Sequence, residues 1–290
     1  MKIIIFIIMV GSIFPIGDDG FYFPTNARSY SLHLGSLALP INPSVNPAIL
    51  SGVDTELVSF SYNSWVGDIK GQNLMVIIGS KRKNLVEFTR WSIEGLELRD
   101  ETPTDDPLGY FGSTFLNANF ATSINLNKYN SIGIAFGLYD YSLYDREVFG
   151  SNIKIGYYQT ILSRVNFGFV LSGFGFSIDN KTFELENDPI LSLGASYTFN
   201  EIGMSIMFDT HLLFTSTNIN KSNVVIGAIK SLGPIKLYLS KLVSIHNDQI
   251  FDFSLGADLR FNDWVVKYGT QIDLKNVLGH VQSIELVYNF

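Results

Sequence analysis

Cysteine is absent from the 290-residue chain. That removes disulfides, thiolate nucleophiles and Cys-ligated metals. Charge is scarce: Asp, Glu, Lys and Arg make up 16% of residues, against about 25% in ordinary soluble domains. There is no basic excess, since 20 Lys and Arg stand against 27 Asp and Glu for a net charge of −7. Neutralising phosphates needs the opposite balance, so no nucleic-acid partner is expected. The four histidines, His33, His211, His246 and His280, are far apart and give no metal-ligand spacing such as H-x-x-x-H. His211 shares a strand face with Asp209, but no motif such as G-x-S-x-G supplies a nucleophile for them. Neither catalysis nor a cofactor is expected.

The chain is rich in Phe, Tyr and Gly, with 23, 14 and 25 of them. Aromatic content of this kind argues against long disorder. The start reads as an export signal over residues 1–17. Lys2 precedes the apolar run Ile3 to Val10, and Gly11, Ser12, Pro15 and Gly17 lead to Asp18-Asp19. The run is far short of the roughly 20 residues a spanning helix needs, and no later stretch is long enough.

The remainder alternates with period two. Phe253, Leu255, Ala257, Leu259 and Phe261 fall on one face, and Ser254, Gly256, Asp258 and Arg260 on the other. Trp264, Val266, Tyr268 and Thr270 oppose Val265, Lys267, Gly269 and Gln271. Ile284, Leu286, Tyr288 and Phe290 oppose Ser283, Glu285, Val287 and Asn289. Such segments are long, with large aromatic faces. A soluble sandwich also alternates, but it buries its apolar faces between two sheets. A membrane barrel turns them to lipid and its polar faces to the lumen.

Connections support the barrel. Short turns are expected near Ser80–Lys83, Asn127–Asn130, Ser163–Val165, Asn200–Glu201, Leu232–Pro234 and Asn262–Asp263. Longer ones are expected near Asn63–Gly67, Arg99–Gly109, Leu143–Phe149, Asp179–Asp188, Thr215–Asn220, Ser244–Gln249 and Lys275–Gly279. The two sets interleave, as in outer-membrane barrels. The expectation is an all-β antiparallel transmembrane barrel of about fourteen strands over residues 55–290, in a bacterial outer membrane. Trp91, Trp264, Tyr268, Tyr288 and Phe290 are expected in aromatic girdles at the lipid interfaces. The chain's last strand, ending at Phe290, resembles the signal read by the barrel assembly machinery.

Residues 18–54 break the pattern. Asn26-Ala27-Arg28 and Asn42-Pro43-Ser44-Val45-Asn46-Pro47 are dense in turn formers. Irregular backbone at membrane depth must be buried in protein or line a cavity, so this segment is expected as a plug in the lumen. Arg28, Asn46 and Pro47 are its candidate contacts. Lys154, Asp252, Asp258, Arg260, Lys267, Asp273 and Glu285 are candidate lumen-lining charges. They hold a polar path or the plug, or simply keep the lumen wet; their mixed signs argue against an ion-selective ring. Asp258 is a candidate partner for Arg28.

Two patches carry a family resemblance. One is Asn46-Pro47-Ala48-Ile49-Leu50 followed by the first strand, Leu57 to Asn63, with Trp65 and Asp68-Ile69. The other is Glu97-Leu98-Arg99-Asp100-Glu101-Thr102-Pro103-Thr104-Asp105-Asp106-Pro107. The chain resembles the PorV/PorQ family of outer-membrane proteins, relatives of the long-chain fatty-acid transporter barrels. The resemblance implies a fourteen-stranded barrel with an N-terminal plug. It further implies a role in type IX secretion, with secretion-system proteins as partners, or passage of hydrophobic small molecules.

Overall fold

The computed structural model describes residues 23–80, 82–98, 106–144, 146–179, 182–215, 218–244, 253–272 and 281–290. The expected export signal and the candidates Asp252 and Asp273 lie outside these residues.

The fourteen strands are β1 Leu57–Ser64, β2 Lys70–Ile78, β3 Asn84–Leu98, β4 Gly109–Asn125, β5 Asn130–Leu143, β6 Arg146–Ile161 and β7 Val165–Asp179, followed by β8 Thr182–Phe199, β9 Met204–Thr215, β10 Asn218–Leu232, β11 Ile235–Ser244, β12 Phe253–Phe261, β13 Trp264–Ile272 and β14 Val281–Asn289. Each pairs antiparallel with its sequence neighbours, and β1 closes on β14 from Leu57↔Asn289 to Ser64↔Gln282. Closure joins the first strand to the last, so the sheet has no free end strand. The faces are the reverse of a soluble protein's. Ile284 and Leu286 on β14 are 57% and 45% exposed, while their neighbours Ser283, Glu285 and Val287 are buried. The same inversion runs through Phe60, Phe88, Phe136, Phe208 and Leu255, all on the outer wall.

Strand lengths are uneven. β1 and β12 to β14 have 8 or 9 residues, whereas β3 to β8 have 14 to 18. A membrane crossing takes only about 9–11. The excess corrects three expected loops. Pairing continues to Leu143↔Arg146, Asp179↔Thr182 and Thr215↔Asn218. The ladders run on through segments that read as loops. Beyond the membrane a strand has water on both sides, so its outer face no longer needs apolar residues and the alternation fades.

The N-terminal residues lie against the inner wall. Asn26 caps helix α1 (Ala27–Ser31), its Oδ1 accepting from the Ser29 amide at 3.0 Å. The chain then turns through left-handed His33, Leu34 and Ser36. A 3-10 turn at Pro47–Gly52 begins with Asn46 Oδ1 accepting from the Ala48 amide at 3.0 Å. Proline suits this first position because its missing N–H would be unpaired there anyway. α1 rests on β12, β13 and β14, and the 3-10 turn on β4, β5 and β6. Tyr30, Leu32, Ala48, Ile49 and Leu50 have no exposed surface.

Two strand glycines permit this approach. A Cβ on Gly168 would overlap the Leu37 carbonyl, and one on Gly269 the Ala27 carbonyl. Gly168→Val should therefore displace the Leu37 region at a cost of about 1–3 kcal/mol. Limited proteolysis of the folded barrel checks it: cleavage before residue 54 should speed up. Gly109→Ala, with open space around it, should leave cleavage unchanged.

Candidate functional site

The interior has a polar part, which grips the N-terminal segment, and an aromatic part. The polar part begins with one cross-strand row on the inner wall. Lys236 pairs in register with Asp258, Asp258 with Lys267, and Lys267 with Glu285. Signs alternate along it, so each carboxylate has a cationic neighbour across the ladder. Lys267 Nζ donates to Glu285 Oε1 at 2.6 Å. Asp258 faces the segment instead. Its Oδ2 accepts from Arg28 Nη2 at 2.8 Å, from Arg28 Nε at 3.2 Å and from Tyr238 Oη at 2.7 Å. Arg28 Nη1 also donates to the Ile41 carbonyl at 2.5 Å. Burial opposes the Arg28 charge, but Asp258, with Tyr238 and Glu285, outweighs it and holds the pKa above its usual value.

The other inner-wall groups hold the segment's backbone. Lys154 Nζ donates to the Ser44 carbonyl at 2.8 Å. Asn46 Nδ2 donates to the carbonyls of Leu37 at 2.8 Å and Tyr157 at 3.2 Å. Pro47 lies against Gly133, where no side chain intervenes. Three further groups take roles that the sequence does not announce. Asp209 Oδ2 accepts from the Ser36 amide at 2.5 Å and the Leu37 amide at 3.2 Å, pinning the left-handed turn. Buried Glu87 accepts from Asn73 at 2.8 Å and from Ser44 at 3.1 Å. His33 Nδ1 sits 3.0 Å from Ser240 Oγ and 2.9 Å from Ser254 Oγ. Their signal was available: each strand residue falls on the inward parity of its strand.

Arg260 departs from expectation. It shares the parity of Asp258 but is exposed beside the short turn at Asn262. One step further along a tilted strand takes the side chain out of the lumen into water.

The aromatic part corrects Trp91. Instead of facing lipid it points inward and is 2% exposed. Its neighbour Arg90 takes the outward position, and side-chain-free Gly71 leaves room for the indole. Phe23 lies 5.2 Å from Trp91 and 5.3 Å from Trp65, ring centre to ring centre. Tyr30 meets Trp65 edge-on at 5.7 Å, and Phe115 stacks on Tyr139 at 6.0 Å. Val66 and Ile69, from the connection between β1 and β2, pack against this cluster. Trp264, Tyr288 and Phe290 do form an outer stack, at 4.8 Å and 6.2 Å, and Tyr268 is exposed. The interior thus holds a packed cluster of rings beside a network of directional hydrogen bonds. Among the described residues no group of three His, Asp or Glu could hold a metal ion.

Asp258, 6% exposed at its side chain, would be left buried and unpaired by Arg28→Ala. That should lower stability by about 3–5 kcal/mol, whereas the double variant Arg28→Met, Asp258→Leu should regain most of it. A thermal-unfolding double-mutant cycle in detergent reads both. His33 adds a pH dependence. Burial lowers its pKa from 6.5 to about 4. Between those values the unfolded chain binds a proton that the folded chain excludes. The contribution of His33 is therefore complete above about pH 6.5 and is lost as the pH falls toward 4. Melting temperature should fall across that window, and His33→Gln should flatten the slope.

No family model matches the sequence, and no curated protein matches it. Solved structures do match. The CymD monoaromatic hydrocarbon channel superposes with a TM-score of 0.61 at 12% identity, covering 92% of this chain and 97% of that one. The toluene transporter TodX of Pseudomonas putida gives 0.61 at 12% identity, covering 84% and 91%. This likeness establishes the fold: a closed, antiparallel, fourteen-stranded barrel of the kind seen in outer-membrane hydrocarbon channels.

Proposed function

We propose that this protein is a passive outer-membrane channel for small hydrophobic molecules. The observation that carries the reading is the aromatic cluster packed around Trp91 on the inner wall of a barrel that shares its fold with hydrocarbon channels. A small apolar molecule gains about 25 cal/mol for each Å² of surface it hides from water, and ring faces suit aromatic guests. Residues 18–54 act as the plug, and residues 1–17 as the export signal. The ordered loss of a few contacts, led by Arg28–Asp258, lets the plug shift and the guest descend. The wall offers an exit where the β7–β8 ladder is interrupted. Register jumps there from Ser172↔Ile190 to Phe174↔Asn187, leaving Gly173 on one strand and Asp188 and Pro189 on the other out of the pairing, and proline has no N–H to restore it.

A second reading, a type IX secretion component of the PorV/PorQ kind, rests on the resemblance of the Asn46–Leu50 element. Deletion in the native host separates the two. Reduced uptake of an aromatic hydrocarbon with normal secretion supports the channel; the reverse supports the secretion role. In vesicles, purified barrel should speed entry of toluene over protein-free controls, and Trp91→Ala should slow it severalfold. Equal entry with and without protein would sink the channel.

A further inference from the structure

We propose that the outer wall carries a binding site for a membrane lipid with a phosphoethanolamine headgroup, set between Arg90 and Asp140. It depends on the barrel lying in a membrane but not on transport.

Outward-facing residues of the first six strands form cross-strand rows. The row nearer the β1–β2 connection reads Tyr62, Gln72, Arg90, Leu116, Asp140 and Phe149. The next row, on the side of the turn between β2 and β3, reads Phe60, Leu74, Phe88, Ala118 and Leu138. Ala118 is the one small side chain in that second row, and the wall dips at it. The dip is a cavity of about 460 Å³ that both rows line. Its exposed lining is mostly apolar, and the exposed polar side chains Gln72, Arg90 and Asp140 lie along the first row.

That row has an unusual charge pattern. Arg90 and Asp140 are both exposed. Among the described residues neither makes an ion pair or a side-chain hydrogen bond. Leu116 separates them in the row. Two strand spacings put their backbones about 10 Å apart, so they do not neutralise each other. A guanidinium on a lipid-facing wall is unfavourable unless an anion meets it. A phosphate meets it best, accepting two parallel N–H bonds, with the Gln72 amide alongside as a further donor. Asp140 calls for a cation, which a bare phosphate lacks. A phosphoethanolamine carries phosphate and ammonium two carbons apart and answers both. Its acyl chains then run down over Ala118, between Phe88 and Leu138.

The same two charges would also complement a second copy of this chain. Shape decides against it, because a symmetric contact sets one dip against another and fills neither.

The test uses the full chain in mild detergent, stripped of lipid and then given dioleoyl-phosphatidylethanolamine or dioleoyl-phosphatidylglycerol. Native mass spectrometry counts the lipids retained. Wild type should hold one phosphatidylethanolamine. Arg90→Gln should reduce retention of both lipids about tenfold. Asp140→Asn should reduce phosphatidylethanolamine severalfold and leave phosphatidylglycerol unchanged. Both side chains face away from the interior, so toluene entry should stay at the wild-type rate in each variant. Equal retention by wild type and both variants would overturn the site. So would a lipid-free dimer that either substitution splits into monomers.

Discussion

Hydrocarbon supplies no hydrogen bonds, so every peptide group at membrane depth must find its partner within the protein. The barrel meets this demand for its strands by closing β14 onto β1. The demand is harder on residues 23–54, whose backbone is irregular and largely buried. Short turns such as α1 and the 3-10 turn satisfy only some of their backbone groups, as in Tyr30 N–H to the Asn26 carbonyl and Ile49 N–H to the Asn46 carbonyl. The inner wall supplies partners for others, one side chain at a time. Ser131 donates to the Ala48 carbonyl and Ser196 to the Ala38 carbonyl, both at 2.8 Å. Asp209 accepts from two amides and Lys154 caps a carbonyl. The polar lumen is thus less a wet surface than a set of assigned partners.

This arrangement explains why the sequence was legible in some places and opaque in others. The wall could be read because lipid selects one face of each strand so strongly. Ile284, Leu286 and Phe290 on one parity, with Ser283 and Glu285 on the other, allow few alternatives. The outer strand ends could not be read, because water on both faces removes the selection and residues 143–149 look like any polar loop. Trp91 misled for a related reason. An aromatic residue suits a lipid interface and a packed lumen equally well. Only the outward placement of Arg90 beside it decides between them, and an arginine facing lipid is the less expected choice.

The contacts of the N-terminal segment divide along similar lines. Arg28 calls for a lumenal carboxylate on charge alone, Asp258 is one of several in the sequence, and the structure joins the two at 2.8 Å. Asp209 was considered with His211 as a possible catalytic pair. Its actual partners are the amides of Ser36 and Leu37, far away in sequence. Backbone amides carry no residue signature, so an acid that serves them looks idle from sequence alone. Glu87 and His33 were hidden in the same way, behind serine, threonine and asparagine partners that no motif marks.

The two halves of the interior pull in opposite directions, and the proposed channel would need both. The aromatic half has few directional bonds, so one ring contact can be exchanged for another at small cost. The polar half is directional and buried, and releasing any one contact exposes an unpaired group to a medium of low dielectric constant. Arg28, Asp258 and Tyr238 share a single carboxylate oxygen, Asp258 Oδ2, so they separate as a unit rather than gradually. A segment held by several such units resists small displacements and yields to concerted ones. That is the behaviour the proposed plug would need to stay shut to ions and polar solutes while admitting a small apolar molecule.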